Sequence, residues 1–291
     1  MGYPCGAELK TLICRYLCQH GENIDPYIAA NWPAGFRRDM AVRFGNSAHG
    51  SIDAFLSANP QFIELGKVLI VALLKRHEDM EKLVWPNDPG WYSHLFDALV
   101  RERMVHEVLE NALSIVTFNY DRSLQAFLTQ RIRYHYNVTE SEAAAIVQDL
   151  RIIHPHGMMG PYPEVPYAND TSDDLAARAA SIKVICEFND SGGEFCSDEF
   201  KAAHDAIASA ERLYFLGFGL HGDNLRRLRV REAVLSNRRM RGKLMIRSTL
   251  HGVCSVEMEA LERCRQEHGL QELQFHETTC NSFFRDVVGL R

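Results

Sequence analysis

No apolar run in this chain is long enough to cross a bilayer: the longest, from Val68 to Leu74, falls far short of a membrane-spanning helix. A secretory leader pattern is missing as well, and Gly2 is followed at position 6 by glycine where an N-myristoylation signal needs serine or threonine. The protein is therefore expected to be cytoplasmic, with no membrane partner. Asn137-Val138-Thr139 then reads as a loop entering a helix, and Thr139 and Glu142 have the spacing of a capping box. None of the cysteines, at 5, 14, 18, 186, 196, 254, 264 and 280, forms a C-x-x-C pair, which excludes the usual structural zinc and dithiol redox motifs. Cys14 and Cys18 share a helix face as small buried side chains, and no metal site is expected. Positive charge is not in excess either. A formal charge of −6 gives no global attraction to nucleic acid or anionic membranes, so any basic site must be a local patch. Internal repeats and low-complexity tracts are absent.

What is present is the composition of an ordinary globular protein, 46% hydrophobic and 24% charged over 291 residues, enough to bury a full core. From about residue 112 to 291, short apolar runs alternate with longer amphipathic ones, which predicts an α/β fold with a Rossmann-like parallel sheet flanked by helices. The expected strands are Leu113–Phe118, Leu150–Ile153, Arg212–Leu216, Lys243–Ile246 and Glu272–Phe275. Helical periodicity dominates the earlier part, and residues from about 20 to 110 read as a helical subdomain inserted in a single domain. The proline-bearing stretch Met158–Ser181 reads as a mobile loop.

Ligands of open parallel sheets bind beyond the carboxyl ends of the strands, and three strand ends here carry chemistry. They are Thr117-Phe118-Asn119-Tyr120-Asp121, His154-Pro155-His156-Gly157, and Gly217-Phe218-Gly219-Leu220-His221-Gly222-Asp223-Asn224. Each has a structural explanation too. Asp121 is placed to cap a helix starting at Arg122, Asn119 suits a turn, and G-x-G-x-x-G is a weak signal by itself.

Taken together, these three segments resemble the ordered motifs of the sirtuin-like superfamily, especially its bacterial branch linked to NAD hydrolysis in antiphage defence. The opening Gly2-Tyr3-Pro4-Cys5-Gly6-Ala7-Glu8-Leu9 is similar to the segment that follows that family's nucleotide loop. The resemblance implies a nucleotide pocket for NAD or ADP-ribose, with Asn119 and His156, not His154, as the catalytic pair on solvent-facing strand ends. It implies cofactor-binding roles for Thr117, Phe118, Asp121, Gly157, Gly217, Phe218, Gly219, Asn224 and Ser248. Phe118 and Tyr120 would wall the nicotinamide side, unless Phe118 simply packs in the core. Only Cys186 and Cys196 lie between Gly157 and Leu216, so the four-cysteine zinc module of sirtuin deacetylases is not present there and protein deacetylation is not expected. The family also places a strand and a Gly-Ala-Gly-x-Ser loop ahead of this opening. Its first strand lies between those ending here at Phe118 and Leu216, so a gap, or a direct pairing that closes it, is expected.

Two other readings stand beside NAD hydrolysis. One is a non-catalytic NAD or ADP-ribose sensor. The other is an NADP-dependent oxidoreductase built on the glycine turn, with Arg247 holding a 2′-phosphate. A homo-oligomer or protein partner is compatible with all three, and nucleic acid is not an expected partner. Arg226, Arg227, Arg229, Arg231, Arg238, Arg239 and Arg241 crowd one helical stretch and read first as a solvated face. Trp85, Trp91 and Tyr92, around a proline-rich bend, read as local core or as a lid.

Overall fold

Helix Ile63–Lys75 contains that longest apolar run, and it is buried around its whole circumference from Leu65 to Leu74. A helix apolar on every side has to lie inside a packed domain or a membrane, and here other helices enclose it. In this computed structural model, which describes residues 3–4, 6–18, 24–84, 90–168, 175–184, 187, 197–220 and 222–287, no helix is long and apolar enough to cross a membrane. Trp85, Cys186, Cys196 and His221 lie outside the described residues.

The chain divides into two compact units, and it passes between them several times. The first comprises Met1–Pro86, Phe118–Gln148 and His156–Asn189. Its core packs helices Gly6–Cys18, Ala34–Asn46, Ile52–Ala58 and Leu175–Ala180 around Ile63–Lys75, with Phe44, Phe55 and Phe62 fully enclosed. Lys67 is buried on that central helix, and its ammonium meets the Glu187 carboxylate at 2.9 Å.

Helix Ser123–Tyr136 belongs to the same unit and is buried from Ser123 to Gln130. Asn137 ends it in the left-handed conformation that asparagine tolerates. The Thr139–Glu142 capping box forms, each residue's side chain accepting the other's backbone N–H. At the helix start the Arg122 side chain is wholly enclosed and paired with the equally enclosed Glu78 carboxylate, Nη2 to Oε1 at 2.6 Å. The same guanidinium donates to the carbonyls of Val165 and Pro166, and Glu78 accepts the Ala168 N–H at 3.0 Å. Residues 158–168 are therefore tied down, with Met159 fully buried, because an internal ion pair satisfies the backbone groups that a free loop would give to water.

The second unit comprises Asn87–Thr117, Asp149–Pro155 and Asp190–Arg291, and it contains all the strands among the described residues. These are β1 (Ile115–Val116), β2 (Ile152–Ile153), β3 (Arg212–Phe215), β4 (Met245–Leu250) and β5 (Leu273–Glu277). Every pairing is parallel, and helices flank the strands, so the architecture is α/β and Rossmann-like. The strands form two ladders, however: β1 with β2, and β3-β4-β5 with β4 central. Among the described residues no pairing joins the two ladders, and the described part of residues 1–30 supplies no strand.

Within this unit the fully buried Asn237 donates to the carbonyls of Ala208, at 2.9 Å, and Ala210, at 2.6 Å. It thereby closes the end of helix Asp198–Ser209. Trp91 is local core: it packs edge-on to Tyr92 and stacks on Phe284 with centroids 5.8 Å apart. Much of the arginine cluster is engaged by neighbouring carboxylates, Arg226 by Asp223, Arg229 by Glu232, Arg238 by Glu272 and Arg241 by Glu211.

Candidate functional site

β1 and β2 run parallel in register, Ile115 beside Ile152 and Val116 beside Ile153, and the Thr117 N–H closes the ladder on the Ile153 carbonyl at 2.9 Å. The two candidate segments therefore leave their strands at the same end. Phe118, Asn119, Tyr120 and Asp121 follow one, His156 and Gly157 the other, and these six belong to the first unit.

His156 is buried, only 5% exposed, and it sits against two aromatic rings. Phe118 meets it edge-to-face with centroids 5.2 Å apart, and Tyr120 lies tilted at 6.3 Å. Asn119, the residue between those two, is exposed. The expectation that both catalytic candidates face solvent thus describes Asn119 and not His156, because the aromatic neighbours cover the ring. His154, at 5% exposed, is just as buried as His156, so burial does not separate the two histidines.

Backbone and side-chain hydrogen bonds tie these segments to their neighbours. Met159 N–H donates to the Tyr120 carbonyl at 2.9 Å, and Lys183 N–H to the His156 carbonyl at 2.8 Å. The Tyr120 hydroxyl donates to the Lys183 carbonyl at 3.1 Å and lies 3.4 Å from Asp53 Oδ1. Ser181 Oγ accepts the Gly160 N–H and donates to the Met158 carbonyl. Asp121 accepts from the Ser123 N–H at 3.0 Å and from the Ser123 hydroxyl, so its carboxylate secures the helix start, and the helix begins at Ser123, one residue later than the start expected at Arg122. Nearby, the hydroxyls of Tyr3 and Tyr167 are 2.9 Å apart, and burial pushes both phenols up, that of Tyr167 to about 12.

Gly157 has a structural reason to be glycine. Its φ is +74°, and it bridges antiparallel to Ile182 so closely that a Cβ would stand 2.1 Å from the Ser181 carbonyl oxygen. Gly157→Ala is expected to cost about 3 kcal/mol or more, from left-handed strain plus a displaced backbone segment. Differential scanning calorimetry should show a fall in Tm of about 10 °C; an unchanged Tm would mean that this close approach does not exist in solution.

The remaining candidates lie in the second unit. Gly217 and Gly219 have φ of +58° and +66°, as a turn after β3 requires, but the Gly217 N–H is already bound to Thr249 Oγ1 at 3.0 Å. Phe218 stacks on Phe215 with centroids 5.6 Å apart. Asn224 is half-buried in helix Gly222–Arg227, and its Oδ1 is covered without a partner. Ser248 is buried on β4 and donates to the Thr249 carbonyl. Thr117 directly follows β1 in this unit. No sequence motif marks Thr249 or Glu78, and the only signal for Thr249 is its place beside Ser248 at a strand end. Among the described residues no cluster of histidine, cysteine or carboxylate side chains is arranged to hold a metal.

Compared with models of known protein families, with curated proteins and with solved structures, the chain matches none.

Proposed function

We propose that this protein is an NAD glycohydrolase, releasing nicotinamide from NAD at a site centred on Asn119 and His156. The observation that carries the reading is their juxtaposition: an exposed amide between two aromatic residues whose rings both touch one buried imidazole. The resemblance of these segments to NAD-hydrolysing sirtuin-like proteins of bacterial defence supports it.

The chemistry asks little of the protein. The bond between ribose C1′ and the nicotinamide nitrogen breaks with its electron pair going to the ring, which leaves neutral, so no general acid is needed. Positive charge develops on the ribose as in glycoside cleavage. Water then bonds to C1′ and gives up a proton, and the products are nicotinamide, ADP-ribose and that proton. His156 takes the proton, because an imidazole titrates near neutral pH. Asn119 orients the ribose or the water from the exposed side, with an amide that has both donors and an acceptor. Phe118 and Tyr120 fix the imidazole and exclude bulk water from it.

A binding module without turnover shares these residues and separates from the enzyme in one experiment. Calorimetric titration of the full chain with ADP-ribose and with NAD, each sample then analysed for free nicotinamide, is expected to show binding of both ligands and nicotinamide only with NAD. Binding of both without nicotinamide would replace the hydrolase by a sensor. Binding of neither would remove both readings.

A further inference from the structure

The β3-β4-β5 sheet has two chemically different faces. By register, Leu213 and Phe215, Ile246, Ser248 and Leu250, and Leu273 and Phe275 share one. Arg212 and Tyr214, Met245, Arg247 and Thr249, and Gln274 and His276 share the other. Phe283, wholly buried, lies against this polar face, its ring 5.9 Å from Tyr214 and 5.4 Å from His276. Arg247 is on β4 between those two rows, and its Nη1 donates to the Val287 carbonyl at 3.0 Å.

Two nitrogen atoms on this face are covered and have no partner, Arg247 Nε and His276 Nε2. Among the described residues no carboxylate lies within ion-pair distance of Arg247, although Arg226, Arg229, Arg238 and Arg241 of the same unit each have one. Asp286 on the covering segment is bound at both oxygens by Arg285. The other titratable groups packed here are the Tyr214 phenol, the Cys280 thiol 3.8 Å from Thr249 Oγ1, and His94 on helix Gly90–Val100, whose charge acts on Asp286. None of them supplies a negative charge. A half-buried guanidinium whose covered Nε has no partner and which has no counter-charge among the described residues, beside a covered ring nitrogen without a partner, is an arrangement that one small anion relieves at both atoms.

We propose that this face binds a small oxyanion, a phosphate or a carboxylate group, between Arg247 Nε and His276 Nε2 beneath the Phe283 ring. The guanidinium supplies a donor that cannot titrate away, and the imidazole supplies the second donor when Nε2 carries a proton. Burial, and then the charge of Arg247, hold the His276 imidazole below its ordinary range. A bound oxyanion acts with the opposite sign and favours the imidazolium, so anion uptake and protonation of His276 reinforce each other. The site is independent of the nucleotide chemistry proposed for Asn119 and His156.

The test follows the histidine rings of the full-length wild-type chain by NMR across pH, with His276 assigned by comparison with His276→Gln. The probes are sulfate, which does not titrate in this range and stands for a phosphate group, and acetate, which stands for a carboxylate. Either probe is expected to raise the His276 midpoint by about one pH unit, saturably, while the remaining histidines stay in place. Which probe acts at the lower concentration identifies the source of the oxyanion. Arg247→Met is expected to abolish the shift, and should that variant not fold, the wild-type titration decides alone. If neither anion moves His276, or all histidines move together without saturation, there is no such site.

Discussion

Asn119→Ala is expected to lower the proposed release of nicotinamide from NAD by about 10²–10⁴-fold at unchanged Tm, and His156→Asn to lower it by a similar factor. The two variants test different parts of one arrangement. Asn119 is exposed, so removing its amide takes little packing from the core, and a kinetic loss at unchanged Tm is read as lost orientation of ribose or water. His156 is buried against Phe118, and alanine at that position would leave a cavity and mix a stability loss into the rate. Asparagine fills much of the space without supplying a base that titrates near neutral pH. His154→Ala is expected to be much milder in rate, since the proposal places the base at His156 and not at His154, and equal losses from His154 and His156 variants would show that the wrong histidine has been assigned. Rates come from timed nicotinamide release, and fold retention from calorimetry on the same samples.

Arg122→Met destabilises the protein by about 3–5 kcal/mol, because it leaves the enclosed Glu78 carboxylate without its counter-charge. The carbonyls of Val165 and Pro166 lose their donor in the same step. At this chain length that corresponds to a fall in Tm of about 10 °C or more. Pairing it with Glu78→Leu removes the stranded charge, so the double variant should be more stable than Arg122→Met alone. If the single variant unfolds at the wild-type temperature, the pair is not enclosed in solution. The effect reaches the candidate site, because Arg122 follows Asp121 directly and anchors the start of the helix that the Asn119 turn enters.

The periodicity of the sequence made the fold legible at the level of local elements. All five expected strands occur, each overlapping its expected range, and the early part of the chain is helical as its apolar spacing requires. Strand length was not legible. Leu113–Phe118 has the apolar character of a full strand, yet only Ile115–Val116 pair, since a ladder extends only as far as its partner and β2 is two residues long. The separation into two ladders depends on pairing between distant segments, which no local pattern encodes. The same holds for Arg122 and Glu78: each reads as surface charge by composition, and their union across 44 positions is a tertiary event. At the candidate site the motif spacing foretold which segments follow parallel strand ends. It did not foretell that Gly157 is held by the approach of Ser181, or that the Gly217 amide is taken by Thr249, because a motif names a glycine without saying what lies against it.

The measurement that bears most directly on Asn119 and His156 is chromatographic analysis of NAD after incubation with the purified full-length wild-type chain, in parallel with Asn119→Ala. The arrangement predicts nicotinamide and ADP-ribose in equal amounts, growing with time in the wild type and at least a hundredfold slower in the variant. Intact NAD in both samples, or equal release from both, would contradict it.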